Sequence, residues 1–355
     1  LRFLSIAAAS GLLLRISGAF LVGAVCVGSG SGLAQTNAPK LKINYGMPTA
    51  DYFTVYVAKD LGLFDKVGLE PNFYFFQSGA PLLAALKSES LDVITTGLAT
   101  VFALGQNIPL KFLYWELNHA LAEGLVVDPK SGITNYTELA KAKAVGAPSG
   151  TCAQVSLSLI EKKIGAQGKI NVINIAPPLY ANALSSGSIQ AGIAWSPYSL
   201  ALQQAGYKVV NWDPDYAPDN GVCPGLTALR SGFLAQHPEV GLRLVRAHAL
   251  AREAIDKNPQ LAIDALVKYL SISPAVAKAS YERECCERLP SFEQQLEPNS
   301  PYSLTSQDGG LGKKLLIASQ ELASTKTIPA PLTQDAIRKA IEPSYIRQFL
   351  DERGK

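Results

Sequence analysis

Charge is scarce in this chain. Only 17% of its 355 residues are Asp, Glu, Lys or Arg, and 32 basic residues nearly balance 29 acidic ones. Nothing in that balance points to nucleic acid or an anionic membrane surface as a partner. Histidine is scarcer still. His119, His237 and His248 fall at no ligand spacing, and the five cysteines form no CxxC pair, so no metal centre is expected. No second apolar run approaches the roughly 20 residues of a membrane span, which predicts a soluble mature chain. No kinase, DNA-binding helix pair or second anchor accompanies it, which counts against a sensor input module.

Residues 1–34 stand apart. Arg2 and Arg15 are their only charges, Ile16 to Val27 is apolar, and Ser31-Gly32-Leu33-Ala34 supplies small residues. This order predicts a secretory signal peptide cleaved after Ala34, and hence a periplasmic protein. The apolar run is too short for an anchored helix. The remainder carries a net charge of about +1 and suits two domains. In an oxidising compartment Cys152, Cys223, Cys285 and Cys286 allow three pairings. Cys152 with Cys223 is the pairing expected; adjacent Cys285 and Cys286 would need a strained ring.

The stretch Ala144 to Tyr198 organises the rest. Ala144 to Pro148 is a short apolar run broken by Gly and Pro. Ser149-Gly150-Thr151 then leads into a predicted helix from Cys152. Small hydroxyl residues there are N-cap material. Free N–H groups and the positive helix end would face whatever sits over the loop, an anion site in outline. The simpler reading is that Ser149 or Thr151 only caps its own helix.

The arrangement repeats. Predicted strands at 41–45, 70–76 and 91–95 run through loops 46–49, 77–80 and 95–98 into helices at 50–61, 82–87 and 98–104. Further strands are predicted at 110–114, 124–127, 169–175, 189–195 and 207–211, and a return strand at 226–229. Alternating strands and helices imply parallel sheet, with ligands bound beyond the strand C-termini. Beyond Pro238 the chain reads as helical, with Val240, Leu244, Ala247, Ala251 and Ile255 on one face. Residues 291–310 read as a surface loop, and Glu282 to Arg288 as a solvated helix face.

These residues resemble the periplasmic substrate-binding proteins of ABC importers, in the taurine, alkanesulfonate and nitrate branch. The resemblance runs from about Lys40 to Leu350. It rests on Phe76-Gln-Ser-Gly-Ala-Pro-Leu-Leu-Ala-Ala-Leu, Leu91-Asp92, Thr96-Gly97, Glu123-Gly-Leu-Val-Val, Ala176-Pro-Pro, Ala183-Leu184, Gly187, Trp195-x-Pro197 and His237-Pro-Glu-Val. Three positions depart from the pattern. Ser196 stands where alkanesulfonate members often carry Asp. Leu226 to Leu229 lacks the acid that meets an ammonium in taurine members. Ser88-Glu89-Ser90 replaces a usual Gly.

The resemblance implies an α/β, two-lobed periplasmic binding protein fold of type II. Its hinged lobes have central mixed sheets and a helical C-terminal segment. Lobe 1 comprises 35–123 and 227–355, and lobe 2 comprises 124–226. The implied function is capture of a small organic anion, sulfonate-like, for delivery to an importer permease by a monomer without cofactor. The expected ligand-binding residues are Thr49, Gln77, Ser78, Gly79, Thr96, Gly97, Glu123, Ser149, Gly150, Thr151 and Trp195, with Tyr52 or Trp115 as further apolar cover. The loops at 77–80, 95–98 and 148–152 carry Ser, Thr, Gln and Gly but no Lys or Arg, so neutral donors are expected to hold the anion. The alternatives are an enzyme on the same fold, with His119 paired to Glu116 or Glu123, and a binder of a thiamine-pyrimidine-like or other nitrogenous solute. The cysteine-rich signature of the pyrimidine binders is absent.

Overall fold

The computed structural model describes residues 40–285 and 289–354. Ten strands form two five-stranded sheets. The first contains β1 (Leu41–Pro48), β2 (Leu69–Phe76), β3 (Val93–Thr96), β4 (Leu110–Leu117) and β10 (Gly225–Arg230), in the order β2-β1-β3-β10-β4. The second contains β5 (Gly124–Val127), β6 (Val145–Gly146), β7 (Val172–Ile173), β8 (Ala191–Ala194) and β9 (Lys208–Trp212), in the order β7-β6-β8-β5-β9. Each sheet is the centre of one lobe. The chain crosses between them after β4 and returns before β10.

The sheets are mixed. β1 is parallel to β2 and β3, but β10 runs antiparallel to both its neighbours. In the second sheet β6 is parallel to β7 and β8, and β5 is antiparallel to β8 and β9. The strand–helix alternation therefore predicts the parallel pairs, and the two crossings supply the antiparallel ones. Central strands are covered on both faces: every residue of β3, β5 and β8 is buried. Their continuous apolar runs reflect that double coverage.

Several predicted elements shift. The helix expected from Ala50 starts at Phe53, because Ala50-Asp51 still belong to the loop after β1. β4 continues through Trp115 to Leu117, and only two residues of 169–175 form a strand. The C-terminal helix face holds as read, with Val240, Leu244, Ala247, Ala251 and Ile255 all buried in the helix Glu239–Lys257.

Two readings of the C-terminal half need correction. The polar segment after Ser291 begins with a helix, Phe292–Leu296, started by a capping box between Ser291 and Gln294. Its Gln295 is fully buried and holds both backbone groups of Trp115, at 2.8 and 3.3 Å. An amide can satisfy an N–H and a C=O together, so a polar residue in a seeming surface loop became core. Glu284 is 1% exposed rather than solvated, for a reason given below. Residues 286–288 of that charged run, including Cys286, and the segment 1–34 lie outside the described residues.

Cys152 and Cys223 form a disulfide across a separation of 71 residues. It joins the start of the helix Cys152–Lys163 to the segment just before β10. Among the described residues, no helix is long and apolar enough to cross a membrane.

Candidate functional site

The loops after β1, β2 and β3 lie together at one edge of the first sheet. Thr49 N donates to Phe76 O at 2.7 Å, tying the ends of β1 and β2. The second lobe meets this edge with Trp195, just past β8, and with the start of the helix Cys152–Lys163. Between them lies a cavity of about 30 Å³, room for about two water-sized groups. Its polar lining is Tyr52, Thr96, His119, Glu123 and Thr151. Pro48, Ala50, Gly79, Gly97, Leu98, Ala99, Trp195 and the two disulfide cysteines complete it. No Lys or Arg is among them.

Six residues expected from the sequence line this cavity: Gly79, Thr96, Gly97, Glu123, Thr151 and Trp195. Gly79 and Gly97 are there because nothing larger fits. A Cβ on Gly79 would sit 2.5 Å from the Ala99 Cβ, and one on Gly97 would sit 2.7 Å from the Cys152 sulfur. Thr151 reaches the cavity with its hydroxyl proton engaged, since Oγ1 donates to Pro148 O at 2.6 Å. It offers lone pairs there instead of the free donor expected. The indole Nε1 of Trp195 donates to Thr49 O across the lobes at 3.4 Å.

The other five stand outside the lining. Gln77 is exposed and Ser78 is buried at the start of the helix Gly79–Lys87. Thr49 contributes its backbone carbonyl, while its buried hydroxyl turns toward Tyr198. Ser149 N donates to Asn174 Oδ1 and Gly150 N to Gln154 Oε1. The N–H groups of Ser149 and Gly150, in the loop before that helix, are therefore taken by nearby side chains. Gly150, at φ 72°, packs so closely on Phe102 that no Cβ could be accommodated. Trp115 is core, edge-on to Tyr302, and does not cover the cavity.

Buried carboxyl groups surround the cavity, and the sequence reading missed most of them. Glu123 Oε1 accepts from Ser156 Oγ at 2.7 Å. Burial, then the neighbouring Asp213, pushes Glu123 well above the usual carboxylate range. Asp213 itself is pushed up to about 6, chiefly by burial, against the opposing hydrogen bond from Val222 N. Asp51 and Glu284 lie beside His119, whose Nδ1 is 3.5 Å from Asp51 Oδ1 and 3.4 Å from Glu284 Oε1. Burial, then the charge of Glu284, drives Asp51 upward; burial lowers His119. Asp51 was legible in principle, as a carboxylate in the loop following the first strand. Glu284 was not, because its sequence neighbours are charged and its partners lie more than 160 residues away.

The pairing of His119 with Glu116 or Glu123 that the alternative enzyme reading would require is not the arrangement found. Glu116 Oε2 is 3.3 Å from His248 Nδ1 and accepts from Thr227 Oγ1 at 3.2 Å. A chain of hydroxyls, Thr227, Thr95 and Tyr45, continues from it inside the first lobe.

Comparisons with known proteins agree with this architecture. The structure resembles that of the alkanesulfonate-binding protein SsuA from Xanthomonas axonopodis pv. citri bound to MOPS. The TM-score is 0.69 at 18% identity, over 86% of this chain and 99% of that one. The desulfurization enzyme DSZB shares the fold, with a TM-score of 0.60 at 15% identity, over 88% of this chain and 100% of that one. In sequence, a Bacillus subtilis (strain 168) protein named as a candidate aliphatic sulfonates-binding protein is 26% identical over 267 residues, 72% of this chain and 77% of that protein. The model of the NMT1-like family matches residues 34–271, a span that holds both sheets and every residue lining the cavity, and the chain belongs to that family.

Proposed function

We propose that this chain is an extracytoplasmic solute-binding protein. It captures a small organic anion of the sulfonate type between its lobes and presents it to the permease of an ABC importer. The observation that carries this reading is the position of the cavity. It lies at the strand ends of the first sheet and is closed from the other lobe by Trp195 and the disulfide, where a two-lobed α/β fold binds ligand. The lining has no Lys or Arg, so an anion there is met by neutral donors, with the hydroxyls of Thr96 and Tyr52 in that role and not Thr151. Trp195 and Tyr52 provide an apolar wall for a short tail.

At about 30 Å³ the cavity admits no organic molecule until its walls part. The crossings 117–124 and 212–225 are the hinge in this reading, with 124–226 moving against 35–123 and 227–355. The protein acts as a monomer, and residues 1–34 direct its export. N-terminal sequencing of periplasmic material should begin at Gln35.

A second reading is favoured by one observation. Glu123 places a carboxyl group in the lining, where the return strand offers none. An amino-sulfonate such as taurine would then bind with its ammonium toward Glu123. The enzyme reading gains no comparable support, because its candidate pair is not assembled.

Calorimetry and thermal shift on the mature chain with ethanesulfonate, taurine, nitrate and an aminopyrimidine test the proposal. Saturable one-to-one binding of a sulfonate, with the compound recovered intact, is expected. Binding of only neutral or cationic compounds, or turnover of a sulfonate, would reject it.

A further inference from the structure

Behind the cavity, three elements distant in sequence bring Asp51, His119 and Glu284 together. Asp51 comes from the loop after β1, His119 from the first crossing, and Glu284 from the end of the helix Pro274–Glu284. All three are at least 97% buried. By ordinary hydrogen-bond geometry neither oxygen of Asp51, neither oxygen of Glu284, nor His119 Nδ1 is paired among the described residues, although Asp51 interacts with both the Glu284 carboxyl and the Ser196 hydroxyl. Burying even one such group unpaired costs several kcal/mol, so a cluster of this kind calls for a further partner.

The separations indicate which partner. A direct imidazole–carboxylate hydrogen bond would draw the atoms to about 2.7–2.9 Å. His119 Nδ1 instead stands 3.5 and 3.4 Å from the two carboxylate oxygens. Ligand atoms placed tetrahedrally about 2.05 Å from one cation are about 3.3 Å apart. One donor atom from each residue lies within 4.8 Å of the other two. The Ser196 hydroxyl, one residue from the cavity wall, is buried beside Asp51 and has no partner of ordinary geometry among the described residues. His119 and Tyr52 line the cavity itself, so an ion has a way in from the cleft.

We propose that Asp51, His119 and Glu284 bind a divalent transition-metal cation, Zn²⁺ by the mixture of one imidazole and two carboxylates. The sequence gives no ligand spacing for such a site, because each ligand comes from a different element. The cation would supply, at the cavity wall, the positive charge that its lining lacks. The site does not depend on the sulfonate reading, since metal binding is measured with no organic ligand present.

The test uses the mature chain treated with EDTA and dialysed, then titrated with ZnCl₂ by calorimetry and followed by thermal melting. MgCl₂ serves as the control, since Mg²⁺ prefers an octahedral oxygen shell. One Zn²⁺ per chain with a rise in melting temperature is expected. Asp51→Asn and Glu284→Gln keep the shapes and remove the charges, so both should fold and melt no lower than the metal-free wild type. Each should weaken Zn²⁺ by more than about 100-fold, beyond the loss from an outer-shell partner. Absence of stoichiometric Zn²⁺ binding by the wild type would overturn the proposal and leave the two carboxyls sharing a proton. Zn²⁺ binding unchanged in both variants would overturn it as well, placing the ion elsewhere.

Discussion

Trp195 and Thr49 face each other across the cleft: the indole N–H of one lobe donates to a backbone carbonyl of the other, at 3.4 Å. The ring is 7% exposed and lines the cavity. It therefore both closes the site and walls it. Trp195→Phe keeps the wall and loses the bond, and should weaken ligand binding by about 3- to 10-fold. Trp195→Ala removes both and should cost more, with the larger loss for longer tails. Calorimetry with a series of alkanesulfonates measures this. Equal affinities in all three proteins would show that the indole is not part of the binding site.

Glu123 decides between the two ligand readings. Glu123→Gln preserves the contact with Ser156 Oγ and removes the acid. An amino-sulfonate should lose at least about 10-fold, since a hydrogen bond to a charged group is worth about 1.5–3 kcal/mol. An uncharged-tail sulfonate should be unaffected or bind better. Calorimetry in buffers of different ionisation enthalpy adds a second readout. Because burial raises both carboxyls, Glu123 and its neighbour Asp213, above the usual carboxylate range, an ammonium bound beside them should favour proton release and a simple anion proton uptake.

Asp213 makes stability depend on pH in a direction opposite to most carboxylates. Its folded value is about 6 against the ordinary aspartate value of 3.8, chiefly because it is buried. Between those values the folded chain holds a proton that the unfolded chain has lost. The contribution is therefore complete below about pH 3.8 and disappears as pH rises through 6, by at most about 3 kcal/mol. Asp213→Asn should flatten the decline in urea midpoint between pH 4 and 7. A profile that keeps the wild-type slope would assign the decline to other groups.

The Cys152–Cys223 disulfide spans a separation of 71 residues, for which loop-closure entropy gives about 4 kcal/mol. Replacing both cysteines by Ser should lower the melting temperature by several degrees. It should also loosen the cavity wall they form, so ligand affinity should fall together with stability. Scanning calorimetry and a ligand titration on the double variant check both effects. Loss of stability with unchanged affinity would limit the disulfide to holding the fold.

Much of the architecture was legible because it rests on local periodicity. Strand, small-residue loop and helix recur from Leu41 to Leu104, and the helix face from Val240 to Ile255 is buried as its spacing requires. Thr96, Gly97 and Trp195 could be placed at the cavity because each ends or follows a strand whose C-terminal end must face the cleft. The chain order also indicated where β10 returns.

Other features depended on contacts that no local pattern encodes. Gln295 looks like loop and is core, since its amide pairs with the backbone of Trp115, 180 residues away. Ser149 and Gly150 look like anion donors, but their N–H groups are taken by Asn174 and Gln154. Asp51, His119 and Glu284 carry no shared spacing, and Glu284 sits in a run that reads as solvated. The sequence determined which segments become strands and which strand ends meet. Only the tertiary structure decided which polar groups at that meeting are satisfied, because hydrogen-bond partners and burial are set by neighbours far away in the chain.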